Sequence, residues 1–179
     1  AEEEGHVRAH PVWRNKESAI SSTNRLLAIA RKHNAKVHVL HISTAEEMDI
    51  LKENKDIATV EILANHLTFD SSEYETLGSR IQMNPPIREK ANQDGLWEAV
   101  RADIVDVFGS DHAPHTLEEK SKPYPQSPSG MPGVQTIVPV FLNHINEGRM
   151  TLEKLVDGMC QILPRIWDVK NKGAIKTGN

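Results

Sequence analysis

Three segments of the chain place an imidazole or a carboxylate where a predicted β-strand ends. The candidate ligands are His41 in 37–44, His66 in 61–67 and Asp111 in 109–115. Imidazole nitrogen and carboxylate oxygen are the natural protein ligands of zinc in a hydrolytic site. A bound divalent metal lowers the pKa of its water, and a nearby carboxylate can then carry the proton. The pattern therefore indicates a metal-dependent hydrolase, although a single histidine at a strand end is more often a packing or hydrogen-bonding residue.

The elements that must position these groups are predicted from the spacing of apolar residues. Helices are predicted over 18–33, 43–54, 92–102, 134–145 and 151–163, and strands over 37–42, 57–63 and 104–109. Ser43 and Thr44 each precede a glutamate by three residues, which is the signature of a capped helix start. A short apolar–polar run at 80–84, stopped by two prolines, brings the count to about four strand–helix units. This alternation predicts a parallel sheet whose strand ends converge on one mouth.

A long segment, 111–133, contains five prolines and two glycines. A loop of this length in a compact domain is usually functional or disordered, and its proline density favours a semi-rigid active-site loop. Glycine-rich phosphate motifs are absent from the sequence, which makes a nucleotide-binding doubly wound sheet less attractive.

The bulk composition excludes several classes of function. The 179 residues carry a formal net charge of −4, so no strongly basic face predicts nucleic-acid binding. The single cysteine, Cys160, allows no internal disulfide and no cysteine-rich zinc site, in agreement with a cytoplasmic location. No apolar run reaches the roughly 20 residues of a membrane span. The first residues lack the features of a signal peptide and do not begin with Met, so a processed chain or a fragment is expected.

The other reactive or aromatic side chains are predicted to be structural. His38 is expected to point into the helix layer, Arg88 to anchor a loop, and Cys160 to be a buried core thiol. Surface or helix-packing roles are predicted for His6, His10, His33 and His144, and core or seam positions for Trp13, Trp97 and Trp167. His112 lies beside Asp111, and the sequence assigns it no physical role.

Five motifs together resemble the dihydroorotases of the amidohydrolase superfamily, in family order and over nearly the whole chain. They are His-Pro-Val-Trp-Arg at 10–14, Val-Leu-His-Ile-Ser-Thr-Ala-Glu-Glu at 39–47, Gln-Met-Asn-Pro-Pro-Ile-Arg at 82–88, Gly-Ser-Asp-His-Ala-Pro-His-Thr-Leu-Glu-Glu-Lys at 109–120, and Pro-Gln-Ser-Pro-Ser-Gly at 125–130. The resemblance implies a TIM (β/α)8 barrel with a binuclear zinc centre. It also implies the interconversion of N-carbamoyl-L-aspartate and L-dihydroorotate in pyrimidine synthesis.

The resemblance implies a role for each matching residue. His41 and His66 resemble metal ligands after strands five and six. Asp111 resembles the metal-bound carboxylate after strand eight that acts as general base and acid. Asn84 and His115 resemble the groups that hold the substrate carboxylate, and Gly130 resembles the position whose backbone contacts the ring amide.

Part of the family pattern is absent from this sequence. The His-x-His of the first strand and the bridging lysine or aspartate after strand four have no counterpart. We therefore expect a partial barrel of strands five to eight with their helices, and 170–179 as the start of a truncated β-subdomain. Such a chain alone should be inactive or nearly so, and its open sheet edges should pair with the missing N-terminal half or with another copy.

Two alternatives remain open. One is another cyclic amidase, such as an allantoinase or a hydantoinase, although Asn84 and His115 favour a substrate with a carboxylate. The other is a non-catalytic dihydroorotase-like subunit that supports aspartate transcarbamoylase. Retention of His41, His66 and Asp111 argues against that scaffold, which is expected to lose metal ligands.

Overall fold

The computed structural model describes residues 5–177 and forms a parallel sheet covered by helices. The strands are β1 Val37–Val39, β2 Ala58–Leu63 and β3 Val107–Gly109. The α-helices are α1 His10–Trp13, α2 Lys16–Lys32, α3 Ala45–Lys52, α4 Ala64–Thr68, α5 Tyr74–Leu77, α6 Lys90–Arg101, α7 Leu117–Lys120, α8 Ile137–Asn146, α9 Leu152–Val156 and α10 Ile162–Ile166. Short 3-10 helices span Val7–Ala9, Ser71–Glu73 and Gly78–Ile81, and a π-helical turn spans Asp157–Gln161. No helix within 5–177 is long and apolar enough to cross a bilayer.

The sheet has the order β1-β2-β3, and both pairs of strands are parallel. Val39 is paired with Val60, and Leu63 with Gly109. Alternate β2 residues Val60 and Ile62 are fully buried against the helices because successive side chains point to opposite faces of a strand. The parallel arrangement places the ends of the strands, and the residues that follow them, at one edge of the sheet.

The predicted fourth strand is not formed. Residues 78–81 make a 3-10 turn, and β3 pairs directly with β2, so the sheet of the described residues has three strands. Pro85 and Pro86 cannot donate to a strand ladder. The carbonyl of Gln82 is instead bonded by the backbone N–H of Gly130 at 2.9 Å and by the Lys120 ammonium at 2.9 Å. The 80–84 run is thus bonded to the 111–133 loop rather than to the sheet.

The predicted helix starts agree with the capping contacts. The Thr44 hydroxyl accepts a hydrogen bond from the backbone of Glu47, and the Thr151 hydroxyl accepts one from Lys154. Each hydroxyl satisfies one of the backbone N–H groups left free in a first helical turn. Helix α3 therefore begins directly after the segment that contains His41.

The C-terminal helices are less buried than their apolar stripes predict. Leu155 is buried, but Leu152 and Val156 are exposed, and so is Cys160, which was predicted to be a core thiol. The predicted helix is interrupted by the π-helical turn, because Pro164 cannot donate to the carbonyl four residues earlier and its ring crowds that group. Trp13 and Trp167 are likewise exposed, against prediction, whereas Trp97 is buried. Residues 170–177 form turns without a strand, and the remainder of the predicted β-subdomain lies outside the described residues.

A close helix crossing gives a test of the packing between α3 and α6. A Cβ atom at Gly95 would lie 2.4 Å from the Cβ of Ala45. A glycine-to-alanine change inside a helix normally stabilises it by about 1 kcal/mol. Here we expect Gly95→Ala to lower the free energy of unfolding by about 1–3 kcal/mol, because the two methyl groups cannot occupy the same space.

Urea unfolding of the parent, the two single variants Gly95→Ala and Ala45→Gly, and the double variant checks this expectation. The double variant Ala45→Gly with Gly95→Ala removes the clash and should recover most of the loss, as a double-mutant cycle would show. A single Gly95→Ala variant that is more stable than the parent would mean that the helices do not approach as described.

Candidate functional site

His41 follows β1 and is the first predicted ligand at the edge of the sheet. Its backbone has a φ of 41°, and its N–H donates to Oε1 of Glu61 at 3.2 Å. A left-handed φ is uncommon outside glycine, asparagine and aspartate, and it persists only where the surroundings impose it. The half-buried side chain lines a cavity of about 400 Å³, which it shares with Asn84, Pro85 and Arg88.

His66 lies in α4, the short helix that follows β2, and the residue is only 3% exposed. Its Nε2 lies 3.1 Å from the carbonyl oxygen of Pro85, which can only accept, so Nε2 carries the proton. Nδ1 is then a bare lone pair, buried and without a hydrogen-bond partner. Burial, with smaller contributions from the nearby His41 and Arg88, lowers the pKa of His66 to about 4 against the opposing effect of the hydrogen bond to Pro85. The imidazole is neutral at pH 7, the form that binds metals.

Asp111 follows β3 and is exposed, with a φ of 43°. Two of the three predicted ligands, His41 and Asp111, thus have left-handed backbones where a parallel strand ends. Aspartate tolerates this conformation better than most residues. The carboxylate is free to reach a ligand or water at the sheet edge.

The three predicted substrate-binding residues lie on two segments that touch each other. Asn84 is exposed, and its Oδ1 lies 3.0 Å from Nε2 of His10. Gly130, with a φ of 145°, packs so closely on Ala113 and His115 that a Cβ would lie 2.6 Å from the Ala113 carbonyl oxygen. The φ and this contact together require glycine.

The structure gathers the predicted residues into two groups. His41, His66 and Asn84 surround Pro85, whereas Asp111, His115 and Gly130 belong to the loop after β3. The hydrogen bond from Gly130 to Gln82, two residues before Asn84, joins the groups.

The fit to a metal ion is partial. The neutral His66, with a proton on one ring nitrogen held by a backbone carbonyl and a bare lone pair on the other, has the arrangement usual in metal-bound histidine. However, no three His, Cys, Asp or Glu side chains within 5–177 lie close enough together to hold a metal ion. A catalytic zinc site uses three protein ligands, so these residues supply part of one and further ligands are required.

Two residues near the site, His112 and Arg88, hold neighbouring segments in place by hydrogen bonds. Nδ1 of His112 accepts the backbone N–H groups of Gly133 and Val134, at 2.9 and 3.2 Å, and fixes the end of the loop. Arg88 is buried and donates to the Ser43 hydroxyl and the Arg14 carbonyl, as expected of a loop anchor. His112 contacts residues that are distant in sequence, so no spacing rule predicts its role. Only its place in the motif at 109–120 singled it out.

The prediction for His38 was wrong. Its neighbours Val37 and Val39 pack toward the helices, so His38 occupies the opposite face of the sheet, where Nδ1 lies 2.7 Å from Oγ1 of Thr59. Its ring contacts Trp167 edge-on at 5.0 Å. Val37 and Val39 both pack in the core. Because side chains alternate between the two faces of a strand, His38 must lie on the face away from the helices.

His144 packs α8 against α4 and gives a pH-dependent prediction. Its Nε2 lies 3.0 Å from the Thr68 hydroxyl, and its ring meets Trp97 edge-on at 4.9 Å. Burial lowers the pKa of His144, and the charge of Arg149 lowers it further against the opposing effect of Glu147. The unfolded chain therefore takes up a proton more readily than the folded chain below the ordinary value of 6.5.

We expect the contribution of His144 to the free energy of unfolding to be fully present above pH 6.5. It should be lost progressively as the pH drops below that value. Urea unfolding at pH 7.5 and at pH 5.5, in the parent and in His144→Gln, measures this contribution. Gln can still donate to Thr68 but does not titrate, so the variant should lose less stability on acidification. Equal losses in the two proteins would contradict the assignment. His10 and His66 also have pKa values lowered by burial, and they contribute equally to the pH dependence of both proteins.

Comparison with known proteins shows which proteins the chain is similar to. No family model matches the chain. It is 35% identical over 162 residues to a dihydroorotase of Methanosphaera stadtmanae, which covers 88% of this chain and 36% of the relative. It is 34% identical over 169 residues to a dihydroorotase of Archaeoglobus fulgidus, which covers 94% of this chain and 38% of the relative. The chain thus spans less than two fifths of the length of these curated relatives.

Solved structures agree at the level of the fold. The L-hydantoinase (dihydropyrimidinase) of Arthrobacter aurescens superposes with a TM-score of 0.83 at 26% identity, over 89% of this chain and 37% of that one. The dihydropyrimidinase of Brevibacillus agri superposes with a TM-score of 0.91 at 25% identity, over 99% of this chain and 41% of that one. By sequence and by fold, the chain is therefore a homologue of the dihydroorotases in the amidohydrolase superfamily.

Proposed function

We propose that the protein to which these residues belong is a metal-dependent dihydroorotase, which interconverts L-dihydroorotate and N-carbamoyl-L-aspartate in pyrimidine synthesis. The observation that carries the proposal is His66, a neutral buried histidine with a bare Nδ1 beside the cavity that His41 and Asn84 line. Named dihydroorotases at 34–35% identity support the choice of substrate. The described residues would be the later part of a (β/α)8 barrel, with three paired strands in place of the predicted four.

The chemistry required is the opening of a cyclic amide. Water adds to the ring carbonyl carbon, the C–N bond breaks, and the leaving nitrogen takes a proton. Asp111 would accept the proton of the attacking water and return it to the nitrogen, as a general base and then a general acid. His41, His66 and Asp111, with ligands from outside this segment, would hold zinc, which when bound polarises the carbonyl and lowers the pKa of water.

The remaining predicted residues would orient the substrate. Asn84, held by His10, and His115, beside Gly130, would bind the substrate carboxylate by hydrogen bonds. The backbone of Gly130 would meet the ring amide, since the absence of a Cβ leaves that approach open. Fixing the ring between these groups brings the scissile carbonyl to the water and to Asp111.

The test is dihydroorotate hydrolysis by the longest form of the protein that contains this chain. Turnover should be lost when a chelator removes the metal and restored by zinc, and metal analysis should give about two zinc ions per chain, as the family resemblance implies. Residues 1–179 alone should be inactive or nearly so. Absence of metal-dependent turnover in the longer form would overturn the proposal.

A hydantoinase-type activity is the second candidate, because a hydantoinase and a dihydropyrimidinase are among the solved structures similar in fold. Hydantoin and dihydrouracil, the rings after which these enzymes are named, lack the carboxylate that Asn84 and His115 would bind. Comparing kcat/KM for dihydroorotate with that for hydantoin and dihydrouracil decides between the two. A preference for either uncharged ring would support the second candidate.

A scaffolding role beside aspartate transcarbamoylase is the third candidate. One relative, 34% identical over 135 residues, is named multifunctional protein CAD and comes from Squalus acanthias. A catalytically silent subunit would bind no zinc, so metal analysis separates it from the enzyme. Association of the segment with the rest of its protein, or with a second copy, is expected from the open edges of β1 and β3. Light scattering measures it, and a 20 kDa monomer would contradict it.

A further inference from the structure

Lys120 is a buried lysine whose contacts join the two halves of the proposed substrate site. It ends α7, and the residue is only 7% exposed. Its Nζ donates to the carbonyl oxygens of Gln82 at 2.9 Å, Pro128 at 2.9 Å and Gly130 at 3.0 Å. These three bonds use all the donors of an ammonium group. No ion pair of Lys120 with a carboxylate is found within 5–177, so its partners are backbone atoms alone.

The partners of Lys120 are neighbours of the predicted substrate groups. Gln82 lies two residues before Asn84, and Gly130 is itself a predicted contact of the ring amide. The Lys120 carbonyl is also bonded by the hydroxyl of Ser79, so main chain and side chain both bind the 78–84 segment. Movement of this one residue would therefore shift both segments.

A second set of bonds closes the same network. The Gln82 side chain donates to the Ser127 carbonyl at 2.9 Å and to the Ser129 hydroxyl at 3.1 Å, and the Ser127 hydroxyl donates back to Gln82. Gln82 is 3% exposed and Ser127 is 2% exposed. A buried and mutually satisfied polar network of this kind fixes one conformation, because each broken bond leaves an unpaired group away from water.

We propose that Lys120 is a positioning residue for substrate binding, which holds Gly130 and Asn84 at a fixed separation by fastening both segments to one ammonium group. The proposal rests on the proposed function. Lys120 does not touch the substrate, and it acts through the backbone of Gly130 and through Gln82. Its loss should therefore impair ground-state binding of the carboxylate and the ring amide more than the proton transfers at Asp111.

The main test is Lys120→Met in the active form of the protein, with Lys122→Met as the matched control on the exposed side of the same turn. We expect KM for dihydroorotate to rise about 10- to 100-fold, with a much smaller change in kcat. Hydrogen exchange at the Gly130 amide, which donates to Gln82, should accelerate by about 10-fold or more in the same variant. The control should change neither quantity.

A milder variant keeps the proposal testable if Lys120→Met does not fold. Ser127→Ala removes one bond of the network and leaves the three bonds of Lys120 in place, and it should raise KM and Gly130 exchange in the same direction by a smaller factor. An unchanged KM with either folded variant overturns the positioning role, and so does a fall in kcat alone. If the parent has no dihydroorotase activity, the proposed function fails. The exchange measurement then still decides whether Lys120 fastens the loop, and unchanged exchange would overturn that as well.

Discussion

Asp111→Asn is expected to reduce turnover of dihydroorotate by about 10²- to 10⁴-fold in the active protein, because an amide cannot accept the proton of the attacking water. Asparagine has almost the same shape as aspartate and tolerates a left-handed backbone, so the φ of 43° should be retained. The loss should therefore appear in kcat, with the fold intact. Steady-state kinetics together with circular dichroism of the variant measures both.

The chain offers a matched control for this substitution. Asp103 is also an aspartate with a left-handed backbone, at a φ of 57°, and it lies in the turn between α6 and β3. Its exposed ion pair with Lys154 contributes little to stability. Asp103→Asn should leave turnover unchanged. Activity of Asp111→Asn within about fivefold of the parent would remove Asp111 from the proton transfer.

Phe141→Ala is expected to cost about 3–5 kcal/mol of folding free energy, the range for a fully buried phenylalanine. Phe141 is 0% exposed, and its ring lies 4.8 Å from the ring of Phe108. The contact packs α8 against β3, the strand that leads to Asp111. A loss of this size is a large part of the 5–15 kcal/mol that holds a typical domain together.

Urea unfolding followed by circular dichroism measures the loss. Phe141→Leu keeps most of the buried volume and should lose much less, whereas Leu142→Ala, at a neighbouring position that is 46% exposed, should lose under about 1 kcal/mol. Similar losses for Phe141→Ala and Leu142→Ala would mean that α8 is not packed on β3 as described.

The local rules of secondary structure account for what the sequence predicted well. Helix α3 begins where Thr44 and Glu47 predicted it, because a cap needs only residues three apart. Strand β2 was predicted by β-branched residues that the helices bury. The fourth strand failed because the hydrogen bonds of Gln82 are decided by a loop some 40 residues away, and no spacing rule reports on such a partner.

The site was predicted through motifs rather than through geometry. Spacing alone marked His41, His66 and Asp111, and the family resemblance added Asn84, His115 and Gly130. Neither the spacing nor the resemblance showed that Lys120 joins the segments of Asn84 and Gly130. A lysine that follows two glutamates is normally predicted to be exposed to solvent. Cys160 was misjudged for the converse reason: Leu155 and Met159 of its apolar helical stripe pack on the core, but Leu152, Val156 and Cys160 itself are exposed.

The left-handed backbones of His41 and Asp111 have a consequence for engineering this chain. Selection of a random library for thermal resistance alone should enrich glycine at both positions, since glycine adopts such a backbone without steric cost. Each variant enriched in this way would have lost a proposed metal ligand. Screens for thermostable variants of this protein should therefore keep His41 and Asp111 unchanged.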